Sequence, residues 1–308
     1  MIRRLVTALI TAAIALAPAS AFAQKALCDE ACLTDLANRY MDAVVKHDPK
    51  GLPWADRVGY AENGVKLRIG EGSWVTIDAR GKAPVVVADP ENGHVIWIGS
   101  VNDHGQPGFY AMDMKVEGRR IAAVNAVIRR QQGRPPFGDP VAFAHDAKFG
   151  AKLGRDGGTP ANVMGALVEG FFNSQAASDG NVLTTIGEGC RLIENGVPMA
   201  GNLPATAGGD AACDTALKRG LFQEYEAVRR QIVAVDGVRG VVAAIGYRDL
   251  PGASTSFMAS DGTAYAAEAK YPRSVAFVTL FKIEGGKIAR IETVANEVPY
   301  LMPFPWTE

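Results

Sequence analysis

Two glutamates in matching surroundings are the residues best placed to do chemistry. Glu62 opens Glu62-Asn63-Gly64-Val65, and Glu194 opens Glu194-Asn195-Gly196-Val197. A carboxylate lining an apolar cavity is desolvated, its pKa rises, and it can then take and return a proton near neutral pH. A phenol aimed at a developing oxyanion stabilises the transition state of such a transfer. The displacement that carries Glu62 onto Glu194 also carries Tyr40 onto Phe172, so the second setting lacks the hydroxyl of the first. Tyr225, Tyr247 and Tyr271 are the hydroxyls able to reach it from other elements. The plainer reading makes Glu62 the solvated first residue of a hairpin turn and Tyr40 a core ring with its hydroxyl at the surface.

Other constellations are weaker. Asp89, His94, Asp103 and His104 bracket an apolar strand-like run, Val95 to Val101. Its two ends lie about 20 Å apart, too far to share one ion, so these residues read as solvated turns. His47 and His145 are isolated and suit surface or capping positions. The sequence shows no phosphate-cradling glycine loop, no nucleophile elbow and no helix with paired zinc histidines, which disfavours nucleotide hydrolysis and hydride transfer. No cofactor and no metal is expected. Cys28, Cys32, Cys190 and Cys213 allow three disulfide pairings. Cys28 with Cys32 and Cys190 with Cys213 is preferred, because each pair stays within one repeat and the second closes a Gly/Ala/Pro-rich loop. Four residues along a helical turn bring alpha carbons to about 6 Å, within disulfide reach. A zinc site is the alternative, weakened by the lack of a histidine near either pair.

The elements that must position these residues recur. Lys115-Val116-Glu117-Gly118 and Lys282-Ile283-Glu284-Gly285 match at a larger displacement than the glutamate tripeptides. The chain thus reads as two copies of one fold, the second carrying an insertion of about 35 residues. In copy one, apolar residues at helical spacing predict a helix over Ala31 to Lys46, ended by Asp48-Pro49. A short turn or helix near Gly51 to Ala55 follows. Strands are expected at Val58 to Ala61, Val65 to Ile69, Val85 to Ala88, Val95 to Val101, Phe109 to Val116 and Ile121 to Arg129. Asn63-Gly64 suits a hairpin because both residues tolerate positive φ. In copy two, helices are expected at Ala161 to Ala177 and Ala211 to Arg229, with strands at Gln231 to Val235, Val241 to Tyr247, Ser274 to Lys282 and Lys287 to Val294. The proline-rich tail from Pro299 to Trp306 is apolar but cannot be helical, and is expected to pack across a groove or domain interface.

The ends and the composition narrow the class. Met1 to Ala23 has Arg3 and Arg4, an apolar run from Leu5 to Leu16, and Ala21-Phe22-Ala23 before the expected cut, which is a secretory signal. The mature protein is therefore expected in a periplasm or outside the cell, soluble and free of the membrane after cleavage. A net charge of −1 with no clustered basic face excludes nucleic acid as an expected partner.

The stretch Arg39-Tyr40-Met41-Asp42-Ala43-Val44-Val45, continuing through His47-Asp48 and Ala55-Asp56 to Glu62, resembles the opening of NTF2-like cone folds of the SnoaL-like and ketosteroid-isomerase-like branches. Cys28-Asp29-Glu30-Ala31-Cys32, Ala88-Asp89-Pro90-Glu91 and Val298-Pro299-Tyr300-x-Met302-Pro303 also resemble an uncharacterised secreted two-copy family found in fungi and bacteria. The resemblance implies an α+β fold of two tandem cone domains, each a curved antiparallel sheet packed on N-terminal helices. The boundaries that follow are a signal at 1–23, a first domain at 24–130, a Gly/Pro-rich linker at 131–160, and a second domain at 161–308 with the helical insertion and apolar tail. It implies an apolar pocket for a small, largely apolar organic ligand, with Glu62 as base, Tyr40 as oxyanion donor and Glu194 as the second copy's carboxylate. The activity so implied is a cofactor-free isomerase, dehydratase or carbon–carbon lyase; a non-catalytic binding or assembly module is the other class. Sheet faces in such folds often pair, so a homo-oligomer through them is expected too. The branch's additional acidic oxyanion partner has no clear counterpart: Asp113 alternates with Met112 and Met114 and is expected to face away.

Overall fold

The computed structural model describes residues 28–131, 136–154, 158–200, 203–204 and 212–306. The expected signal and its cut after Ala23 lie outside the described residues, as do parts of the expected linker and the start of the helix expected from Ala211.

The first helix, α1 (Glu30–Val45), begins where Asp29 caps it, its side chain accepting from the Cys32 N–H. Leu33, Leu36, Ala37, Tyr40, Met41 and Val44 form its buried stripe, and each large apolar side chain buried there contributes about 1.5–3 kcal/mol. It ends in a Schellman pair, His47 N–H to Val44 O and Asp48 N–H to Ala43 O, with His47 at φ 54. His47 therefore has the capping position expected of it, and its ring also meets Trp74 O at 2.6 Å.

This helix covers a seven-stranded sheet made of β1 (Trp54–Glu62), β2 (Val65–Lys66), β3 (Ile77–Arg80), β4 (Val85–Asp89), β5 (His94–Asp103), β6 (Gln106–Glu117) and β7 (Arg120–Arg129). A one-turn helix, α2 (Ser73–Thr76), precedes β3. The strand order is β2-β1-β7-β6-β5-β3, with β4 also on β5. The second sheet follows α3 (Ala161–Ala177). It comprises β8 (Ile186–Glu194), β9 (Val197–Ala200), β10 (Leu203–Pro204), β11 (Ala227–Asp236), β12 (Val241–Leu250), then β15 (Arg273–Glu284) and β16 (Lys287–Val298). Its order is β10-β9-β8-β16-β15-β12-β11. A helix, α4 (Cys213–Lys218), lies before β11, and a hairpin of β13 (Ser256–Met258) and β14 (Ala264–Ala266) lies between β12 and β15.

The fold is α+β, and three expectations need correction. The sheets are mixed: β1 runs parallel to β7 and β8 parallel to β16. The intervening strands supply the long crossover that parallel pairing requires. The helix expected to Arg229 stops at Lys218, because Gly220 turns the chain at φ 61 and Ala227 already begins a strand. The strand expected from Val65 to Ile69 is only the two residues of β2. The extra length of the second sheet is accordingly divided between the segment before β11 and the β13–β14 hairpin.

The repeated tripeptide is a strand clamp. Asn63 and Asn195 take φ 49 and 47, with Gly64 and Gly196 at 81 and 75, as a tight hairpin turn demands. The Asn63 amide both donates to Ile128 O at 3.3 Å and accepts from Ile128 N–H at 3.1 Å. Asn195 does the same with Ala295, at 3.0 and 2.9 Å. Each amide extends the parallel ladder past the last residue of β1 or β8, and so fixes the preceding glutamate in register opposite Ala126 or Thr293.

Three cores follow. One lies between α1 and the first sheet, a second between α3 and the other sheet, and a third between the two sheets, where Val87, Ile96, Ile98, Phe109 and Ala111 meet Ala243, Ile245, Ala276, Val278 and Leu280. The turns interlock reciprocally: a Cβ on Gly64 would meet Met302 Cγ at 2.5 Å, and one on Gly196 would meet Phe109 Cζ at 2.6 Å. Described linker residues join the seam, with Phe149 buried and Phe137 and Phe143 edge-on to Phe109. The tail packs across it as expected: Arg229 donates to Met302 O at 3.0 Å, Phe304 meets Tyr247 edge-on, and the Trp306 ring covers Gly59. Both disulfides have the expected pairing, Cys28–Cys32 and Cys190–Cys213.

Candidate functional sites in the two sheets

Tyr60 and Glu62, two apart on β1, share the face that looks toward α1. The Glu62 Oε2 accepts from the Ser73 N–H at 2.8 Å and from the Tyr60 hydroxyl at 3.1 Å. The same hydroxyl lies 3.2 Å from Ser73 Oγ. Arg130 approaches the other carboxylate oxygen at 3.9 Å. Gly72, at φ 63, lets α2 come this close, since a Cβ there would meet Glu62 Oε2 at 2.9 Å and Leu67 Cδ1 at 2.8 Å. Glu62 is 8% exposed and Tyr40 fully buried, so neither is the surface group of the plainer reading.

On the same side of the sheet are buried donors that make no hydrogen bond of ordinary geometry. The hydroxyls of Tyr40 and Tyr110 lie near one another without a hydrogen bond of ordinary geometry, and the indole N–H groups of Trp74 and Trp97 are buried and unpartnered as well. Tyr40 packs edge-on against Trp74 at 5.2 Å and Trp54 at 6.4 Å. Burial raises the pKa values of Tyr40, Tyr60 and Tyr110 well above the ordinary phenol value, and the charge of Glu62 pushes the same way. All three are therefore protonated donors at neutral pH. Native proteins satisfy nearly all buried polar groups, so such a cluster calls for an explanation.

The second sheet places Glu194 equivalently but pairs it differently. Its Oε2 accepts from Arg248 Nη2 at 2.6 Å, and Arg248 Nη1 reaches the Tyr225 hydroxyl at 3.3 Å. Burial alone would weaken the proton's hold on Arg248, but Glu194 and Tyr225 outweigh it and leave the guanidinium firmly charged. A cavity of about 20 Å³ sits here, walled by Phe172, Gln175, Phe222, Phe277 and Thr279 beside Glu194 and Arg248. That is room for about one water. Tyr225 is thus the hydroxyl that reaches the second carboxylate, whereas Tyr247 lies on the opposite face against Phe304 and Tyr271 bonds Glu297 at 2.6 Å.

Tyr60, Ser73, Tyr110 and Arg248 were not foreseen. Alternation was the available signal for Tyr60, which precedes Glu62 by two, and for Tyr110, which shares a face with Met112 and Met114. Arg248 stood out only as a charge in the buried strand β12. Ser73 had no signal, because α2 was unrecognised. Asp113 faces away from this interior, as its alternation implied, and meets His94 at 2.7 Å.

The other acids are not the solvated turns expected of them. Asp89 is 2% exposed, bonding Asn92 and accepting from the Val235 N–H of the second sheet at 2.9 Å. Asp103 is buried in an ion pair with Arg130. His145, expected at the surface, donates or accepts at 2.7 Å with the buried Glu292. Among the described residues no three His, Cys, Asp or Glu side chains gather as a metal cage.

A helix laid on a mixed, twisted sheet, twice over, with one inward glutamate in each, defines the class of molecule. The chain belongs to the family described as a domain of unknown function, DUF8021, matching it over residues 28–128 and 159–295. No curated protein matches it. Among solved structures, a protein from Sphaerobacter thermophilus is 20% identical with a TM-score of 0.27, covering 32% of this chain and 96% of that one. An NTF-2 like protein of unknown function from Burkholderia xenovorans is 12% identical with a TM-score of 0.28, covering 34% and 89%. Likeness at this level carries no argument about activity.

Proposed function

We propose that this is an exported protein of two tandem NTF2-like cone domains, 24–130 and 161–308, joined by the segment 131–160. The first cone binds a small, largely apolar organic molecule bearing an oxygen and transforms it by cofactor-free acid–base chemistry of the isomerase, dehydratase or carbon–carbon lyase type. Glu62 is the base, and Tyr40 donates to the oxygen on which charge develops. The single observation behind this is the buried pair of tyrosine hydroxyls, Tyr40 and Tyr110, which make no hydrogen bond of ordinary geometry and lie near a carboxylate held in fixed orientation. An oxygen-bearing ligand supplies the missing acceptor, and its arrival requires the segment 67–72 to give way. Glu194 enters differently: clasped by Arg248, it serves to hold charge in the second cone rather than to move a proton.

The second reading is a non-catalytic ligand-binding or assembly module. It is favoured by the tight packing: the second cone's cavity holds only about one water. The two separate by experiment. Solvent-deuterium exchange into a panel of small enolisable ketones, followed by NMR, is expected with the native protein and lost in Glu62→Gln, while saturation transfer shows ligand still bound. Exchange that survives Glu62→Gln removes the base assignment. Binding without exchange in either protein supports the module, and a panel that does not bind at all defeats the ligand-site reading.

A further inference from the structure

A large cavity lies outside both cones, where the β3–β5 corner of the first sheet meets the segment 141–145. It measures about 760 Å³, within the range of small-molecule sites. Along this edge β5 is paired by two different strands, β3 at Val101 to Asp103 and β4 at His94 to Ile98, with the connection between them held to β5 by the Gly81 N–H to Ser100 O bond at 2.7 Å. Pro84, Val101, Pro107, Val141 and Phe143 supply an apolar wall. The cationic lining residues are Arg80 and Lys82, and no carboxylate lines the cleft. Arg80 is ion-paired to Asp42 at 2.8 Å, whereas Lys82 has no ion-pair partner among the described residues. His145 is already engaged with Glu292.

We propose that this cleft binds an amphipathic organic anion: an apolar body against the proline, valine and phenylalanine wall, and an acidic head at Lys82. Charge complementarity chooses the anion, since the lining offers cations and no acidic group. The site is independent of the cone interior and of the chemistry proposed there.

8-Anilinonaphthalene-1-sulfonate carries both features, and N-phenyl-1-naphthylamine carries the rings without the sulfonate. Titrated against the full-length protein, the sulfonate is expected to bind saturably at one site per chain, and more weakly as salt is raised. Lys82→Glu should weaken it about tenfold and leave the neutral analogue unaffected. Ala144→Trp, at an exposed lining position, should fill the cleft and abolish binding of both. Retention of native affinity in Ala144→Trp, or equal affinity for the two probes with no response to Lys82→Glu, overturns the proposal. Circular dichroism of each variant confirms that it is folded, and Glu62→Gln, which does not touch the cleft, should bind the sulfonate like the native protein.

Discussion

Asn63 and Asn195 do the same work with different exposure to water. Each amide makes two bonds to one backbone residue of the neighbouring strand, but Asn195 is buried and also donates to Pro136 O at 3.2 Å. Replacing it with alanine leaves the Ala295 groups unsatisfied in a dry place, at a cost of about 2–3 kcal/mol, against about 1 kcal/mol for Asn63→Ala. Urea unfolding of the two variants should show that order. The buried phenols make a second prediction. Unfolded, Tyr40, Tyr60, Tyr110 and Tyr225 release their protons near pH 10; folded, burial holds those protons to higher pH. Below about pH 10 both states keep them and stability is flat. Above it the native state binds more protons, so stability falls by about 1.4 kcal/mol per pH unit for each phenol. Tyrosinate absorbance should therefore rise together with unfolding, and Tyr40→Phe should shallow the slope.

At the scale of elements, local signals were read where they were strong. The spacing of α3 gave both its ends, and Asn-Gly marked both hairpins. What failed was what sequence neighbours do not record. The run Phe109 to Met114 is buried on both sides, with Tyr110, Met112 and Met114 toward α1 and Phe109 and Ala111 toward the second sheet. Its polarity therefore cannot alternate, and only the lone Asp113 betrayed the faces. Parallel pairing of β1 with β7 is a long-range choice with no local mark, so the sheet was expected to be antiparallel. Glu62 was legible because its tripeptide recurs; its donors came from Tyr60 and from an unforeseen turn of helix. The disulfides differ in reach. Cys190–Cys213 spans a sequence separation of 23 and Cys28–Cys32 one of 4. Loop-closure entropy assigns the longer link about 3 kcal/mol and the shorter about 2 kcal/mol. Paired serine variants at 190 and 213 should lower the melting temperature more than those at 28 and 32.

Across the whole molecule, the outer faces of the two sheets are spent on each other, so the faces through which an oligomer was expected are already covered. A single-chain mass by light scattering is the expected result; a dimer would require another surface. The two sheets should also melt as one unit. Asp89 bonds Val235, Arg239 pairs with Glu30 at 2.6 Å, and the third core is shared. Trp54, Trp74 and Trp97 all report on the first sheet, so their fluorescence should change in step with far-ultraviolet dichroism. Asp89→Ala strands the Val235 N–H and should cost about 1–3 kcal/mol.

The strap from Pro299 to Trp306 gives this architecture a direction in time. Met302 fills the space beside Gly64 in the β1–β2 turn, and the ring of Trp306 lies over Gly59 in β1, both made early in synthesis. A polypeptide still emerging from a ribosome has no such cover over Gly59 and Gly64, which wait for residues nearly 250 positions behind them. A chain ended before Pro299 should therefore finish its first sheet with that surface open, and melt below the full-length protein.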